Sequence, residues 1–128
     1  MSQISHFSEN TIRNLKNYVY ILYDSVNSQI FYVGRGTDDR CFDHIAEARN
    51  TRTRNPKLDR IRSVGEKNID VYLIHWGMTA HQAEKVEASI IDLLSAFNFR
   101  GVDLSNQRHE DTEHGFVSVE RIEDEFGD

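Results

Sequence analysis

Tyr20, Tyr32, Arg40, His44 and Glu87 are the residues whose types and spacing could do chemistry. Tyr20 and Tyr32 lie in two runs that read as the arms of a hairpin. In an antiparallel pair, an odd-length loop puts both phenols on one face, and only an even-length loop separates them. Phenols on one face can move a proton, or can simply support a sheet. Arg40 and His44 are four residues apart, on one side of a helix. A guanidinium grips a phosphate through two hydrogen bonds, and an imidazole exchanges protons near neutral pH. A surface Arg–His pair without a role has the same spacing. Glu87 falls inside an apolar helical stripe of Ala83, Val86, Ile90, Leu93, Leu94 and Phe97. A carboxylate there must be paired, for example with an arginine, or must bind a metal.

Gly34-Arg35-Gly36 ends the second arm. Two glycines permit an unusual φ or the close approach of a ligand. The spacing is neither a P-loop nor a dinucleotide fingerprint, because Asp39 stands where the third glycine should be. Further on, Arg49, Arg52, Arg54, Lys57, Arg60 and Arg62 face one acid, Asp59, a local net charge of +5. Such a segment could follow a phosphate backbone or form a solvated loop. The remaining histidines show no metal-ligand spacing.

Definite elements must position these side chains. Ser8 caps a short helix over 9–16. Residues 18–24 and 30–34, rich in β-branched and aromatic types, are strands. Asp38 or Asp39 opens a helix to about residue 48, and 49–55 is a basic loop. Pro56 starts a helix over 56–64 that Gly65 closes. Residues 70–76 are a third strand. Thr79 caps the longest helix, over about 80–97. Residues 116–122 are a weak strand or helix. The sum is an α/β domain of the α+β type, with helices around a small, mainly antiparallel three-stranded sheet.

The chain has 128 residues and a net charge of −6, enough for one compact domain. That charge argues against nucleic acid only when averaged. Residues 103–128 hold nine acids and two bases, a net of −7, whereas residues 1–102 carry a net of +1. Asymmetry of this kind points to a charged partner. A single cysteine, Cys41, excludes an internal disulfide framework and suits a reducing, cytoplasmic setting. No apolar run approaches a membrane span, and the start does not read as a secretory signal.

In this order, the pieces resemble the GIY-YIG nuclease family, named for two short motifs on the strands of a hairpin. Here those motifs read Tyr18-Val19-Tyr20 and Tyr32-Val33-Gly34. The Arg40–His44 helix and Glu87 on a long helix match the family pattern. Asn106 in DLSN, or else Asn98, matches the asparagine that follows that helix. The form FYVGRGT, the NPKLDRIR segment and the EASIIDLL helix are most similar to the branch of LEM-domain nucleases and small bacterial and phage relatives. The resemblance covers residues 18 to about 107. It departs at Tyr18, where the family has glycine, and at the two valines, where it has isoleucine.

The resemblance implies a DNA endonuclease with one divalent ion, Mg²⁺ or Mn²⁺, held by Glu87. It implies that Tyr20 takes a proton from the attacking water and that Arg40 neutralises charge on the phosphate. Tyr32 and His44 would orient the phosphate and assist proton transfer. Asn106 would hold the sheet–helix arrangement or a water. Arg35 and the six cations from Arg49 to Arg62 would track the DNA backbone. On this reading residues 1–17 are an N-terminal helical extension, 18–107 the nuclease-like domain and 108–128 an acidic tail. The tail could lie over the basic segment or recruit a partner protein. Specificity would be weak or directed at DNA structure, or borrowed from a partner or a homodimer. The alternative is a non-catalytic nucleic-acid- or protein-binding module on the same fold.

Overall fold

A computed structural model describes residues 4–106 and 117–127. Within them a three-stranded antiparallel sheet of order β2-β1-β3 joins β1 (Asn17–Asp24), β2 (Gln29–Gly36) and β3 (Ile69–Met78). The helices are α1 (Glu9–Leu15), α2 (Arg40–Asn50), α3 (Pro56–Val64), α4 (Ala80–Ala96) and α5 (Val119–Phe126). The α+β fold is as expected. The differences are mostly at element ends: β2 and β3 run longer, and α2 absorbs Arg49 and Asn50 from the expected loop. Residues 119–126 are helical, and the rest of the acidic tail lies largely outside the described residues.

The central strand explains its own composition. Tyr18, Tyr20 and Leu22 point to one face, where they form a core with Cys41 and Ala48 of α2 and Leu58 and Ile61 of α3. Val19 points to the other, where with Val33 it meets Ala83 and Ile91 of α4. With both faces covered, β1 has no polar alternation to show. The α4 stripe is rotated from its expected position. Ala83 and Ile91 are buried, whereas Leu93 and Phe97 are about half exposed, at 45% and 55%.

Caps fix the helix starts. Thr79 and Gln82 form a reciprocal capping box on α4, and Asn55 accepts from the Leu58 amide ahead of Pro56. Helix α2 opens at Asp39, one of the two expected residues. Asp39 makes no side-chain cap and instead accepts the Phe7 amide at 2.8 Å. The buried Tyr18 hydroxyl takes over. It accepts from the Cys41 amide at 3.0 Å and donates to the Asp38 carbonyl at 2.9 Å. Asp38 is left-handed, with φ 52°. The residue that departs from the motif glycine therefore pins the turn that aims Arg40 and His44.

The hairpin reaches the expected parity by another route. Its loop is four residues long, since Asp24 pairs with Gln29 and Tyr23 with Ile30. An even loop alone would separate the tyrosines. A bulge then leaves Phe31 unpaired, so that Leu22 opposes Tyr32 and Tyr20 opposes Gly34. One extra residue returns both phenols to one face. The outer edge of β2 is covered as well. The Ile30 amide donates to the Gly101 carbonyl, Asp103 to Ile30 and Ser105 to Phe31. No element is expected for that segment from the sequence, because its ladder follows the shape of β2 and no periodicity of its own.

Candidate active site

Two glycines make room for the site. A methyl group on Gly34 would stand 2.6 Å from Cζ and Oη of Tyr20 and 2.8 Å from Cε2 of Tyr32. Both rings therefore lie across bare backbone. A methyl group on Gly36 would stand 2.5 Å from Cβ of Arg40. Gly34→Ala should cost about 1–3 kcal/mol in urea unfolding, the usual range for forced overpacking. It should also displace the two phenols, which near-ultraviolet circular dichroism would register.

Around that floor Tyr20, Tyr32 and His44 converge. The Tyr20 hydroxyl lies 2.6 Å from His44 Nε2. The Tyr32 ring is 6.2 Å from that of Tyr20 and 5.0 Å, edge-on, from the His44 ring. Burial raises the Tyr20 phenol far above its ordinary range. Tyr32 adds to this, and the Arg40 charge works against it. Burial and then the Glu87 charge raise Tyr32, again opposed by Arg40. Burial, assisted by the charges of Lys57 and Arg40, depresses His44 from 6.5 to about 4. At neutral pH the phenols are thus protonated and the imidazole is uncharged. With the ring proton on Nδ1, Tyr20 donates and Nε2 accepts.

The depressed histidine has a consequence for stability. Its folded pKa is below its unfolded value, so the unfolded chain binds the extra proton first. Its contribution is complete above about 6.5 and is lost as pH falls through about 4. Urea midpoints should therefore decline across that window. His44→Gln should flatten the decline.

Glu87 projects from α4 on the other side of β2. Its carboxylate accepts from Arg35 Nη1 at 2.9 Å, with side chains 21% and 45% exposed respectively. This is the arginine pairing that the apolar stripe demanded. No group of three His, Cys, Asp or Glu side chains forms a metal cage among the described residues. One solvent-reached carboxylate does not suit a dehydrated structural ion such as zinc. It does suit a hard cation that keeps several waters and shares a phosphate, as Mg²⁺ does.

Asn106 acts through the sheet. Its side-chain amide accepts from the Val33 amide at 3.0 Å and donates to the Val33 carbonyl at 2.8 Å. It thereby imitates a strand neighbour between Tyr32 and Gly34, and is a positioning residue. Asn98 makes no such bond among the described residues.

The cations grouped by sequence separate in space. Arg60 turns inward to Asp24, Gln29 and Asp103, at 2.9, 2.6 and 3.0 Å. Arg62 donates to the carbonyls of Ala48 and Thr51 at the end of α2. These two hold the fold rather than face a backbone, because Asp24 is buried and the α2 carbonyls need donors. Arg49 forms a fork with Glu66, both bonds 3.0 Å, and Arg54 pairs with Asp59 at 2.7 Å. Arg52 is exposed, with no ion pair among the described residues. Lys57, second residue of α3, places Nζ 4.6 Å from the centre of the Tyr32 ring. Sequence reasoning put Lys57 with the backbone cations and missed its place beside the phenols. The Asn-Pro pair that starts α3 was the available signal, since it fixes where the first turn begins.

No helix among the described residues is long and apolar enough to cross a membrane. Neither the curated proteins nor the solved structures contain a match to the chain. A family model, the LEM-3-like GIY-YIG domain, matches residues 9–123. It takes in both tyrosine motifs, the Arg40–His44 helix and Glu87, and the chain belongs to that GIY-YIG family.

Proposed function

We propose that the chain is a metal-dependent endonuclease that hydrolyses DNA phosphodiester bonds. The family is one of nucleases, generally dependent on a divalent metal. The observation that supports DNA hydrolysis here is the 2.6 Å Tyr20–His44 contact, made beside Tyr32 on the helix that Arg40 opens.

The phenol is too weakly acidic at rest to serve as a free base. It works instead as a relay. Tyr20 takes the proton of the attacking water while passing its own to His44 Nε2, which is neutral and ready to accept it. Arg40 neutralises the charge that grows on the phosphate. Tyr32 orients a phosphate oxygen, and Lys57 brings positive charge to the same edge. Glu87 would hold Mg²⁺ or Mn²⁺, which supplies Lewis-acid stabilisation of the phosphate and the leaving oxygen. Arg35, Arg52 and Arg54, all exposed, would meet neighbouring phosphates. Such contacts position a strand without reading its sequence, which accords with weak specificity or recognition of DNA shape.

The test is plasmid nicking. Full-length protein with Mg²⁺ or Mn²⁺ should relax supercoiled DNA, or cut branched or single-stranded DNA. Glu87→Gln should abolish the activity while its far-ultraviolet spectrum stays unchanged. A wild type inert on all three substrates in both metals would leave only the binding-module reading.

A further inference from the structure

The Arg35–Glu87 contact places a cation on the one carboxylate that the metal would need. Arg35 lies opposite Val19, so its side chain rises on the α4 face of β2, the face of Val33. Its only hydrogen bond or ion pair among the described residues is the 2.9 Å contact from Nη1 to Glu87. The pair is single-pronged and its arginine is 45% exposed, the kind of contact that exchanges readily. Arg35 directly follows Gly34, across which the Tyr20 and Tyr32 rings lie, so the pair stands on the strand that floors the phenols.

We propose that Arg35 is a gate on the metal site: it occupies Glu87 when no DNA is bound and moves to a DNA phosphate when the divalent ion enters. The proposal rests on the assignment of the metal to Glu87. A guanidinium and a divalent cation on one carboxylate repel each other. The ion must therefore displace Arg35 or bind weakly beside it. A phosphate beside β2 offers the displaced guanidinium a stronger, two-pronged partner. DNA then draws Arg35 from Glu87, and the metal releases Arg35 for DNA. By linkage, each must tighten the other by the same factor. A chain alone in a Mg²⁺-containing solution stays largely metal-free, and the reactive ion assembles only on substrate.

Mn²⁺ binding to the full chain, followed by the loss of the free-ion electron paramagnetic resonance signal, tests this without reference to cleavage. The Tyr20→Phe background keeps added DNA intact. The parent should bind Mn²⁺ weakly alone and about tenfold more tightly with a short duplex, within the usual range of coupling between sites. Arg35→Gln should bind Mn²⁺ more tightly than the parent without DNA and gain less when DNA is added. Arg35→Lys keeps the charge and should stay closer to the parent. Equal Mn²⁺ affinity of the parent and Arg35→Gln without DNA would overturn the gate alone, provided Glu87→Gln abolishes binding. If Glu87→Gln binds Mn²⁺ as the parent does, the metal assignment itself fails and the gate with it.

Discussion

Tyr20→Phe should lower the nicking rate by about 10²–10⁴, the range expected when a positioned proton-transfer group is lost. Stability should change by only about 1 kcal/mol, the net worth of one hydrogen bond. The ring stays, so the floor over Gly34 stays filled. His44→Ala should slow the reaction comparably, because the phenol cannot release its proton without an acceptor. Since the two act as one relay, the double variant should be little worse than either single one. Independent roles would instead multiply the losses. The pH profile supplies a second check. His44 must be uncharged to accept a proton, and its folded pKa is depressed to about 4. The acid limb of the rate should therefore lie near that value, and the rate should stay level through the range where an ordinary histidine titrates. A limb near 6.5 would place the imidazole in contact with water and remove the relay.

The parts of this site differ in how openly the sequence declares them. Glu87 is legible because a carboxylate inside an apolar stripe must be explained, and the stripe itself follows from helical period. Arg40 and His44 are legible from spacing alone. The shared face of Tyr20 and Tyr32 follows from parity, yet the actual parity comes from an even loop corrected by the Phe31 bulge. Bulges leave no periodic trace, so the route was hidden although the outcome was accessible. Tyr18 could be seen only as a departure from a glycine. Its work depends on where the Cys41 amide and the Asp38 carbonyl arrive, and a third element decides that. The cations were the least legible. Charge counts treat Arg52, Lys57 and Arg60 alike. Packing sends one to solvent, one over the Tyr32 ring and one to a buried carboxylate.

Asp24→Ala should be the most destabilising single change considered, by about 3–5 kcal/mol, as when one member of a buried ion pair is removed. Asp24 is fully buried at the end of β1. Its carboxylate accepts from the Val26 amide at 2.9 Å, the Asn27 amide at 3.0 Å, the Asn27 side chain at 2.7 Å and Arg60 Nε at 2.9 Å. Burial alone would raise its pKa, but the bonds from Asn27, Arg60 and Val26 outweigh this and hold it below 3.8. Its contribution is thus present above the unfolded value and lost as pH falls through the lower folded one. Truncation removes one of the three partners of Arg60 and strands the donors of the hairpin loop. That loop leads into the bulge that turns Tyr32 inward, so the same change should cost activity through position. Arg60→Met should be milder, because Asp24 keeps its three local donors. The pair also separates a fold-holding role from a DNA-tracking one. A phosphate contact at Arg60 would add about one unit to the salt dependence of DNA affinity. Because Arg60 is held by Asp24, Gln29 and Asp103, Arg60→Met should lower the urea midpoint and leave that slope unchanged. Arg52→Gln should do the reverse, since Arg52 is exposed and makes no ion pair among the described residues.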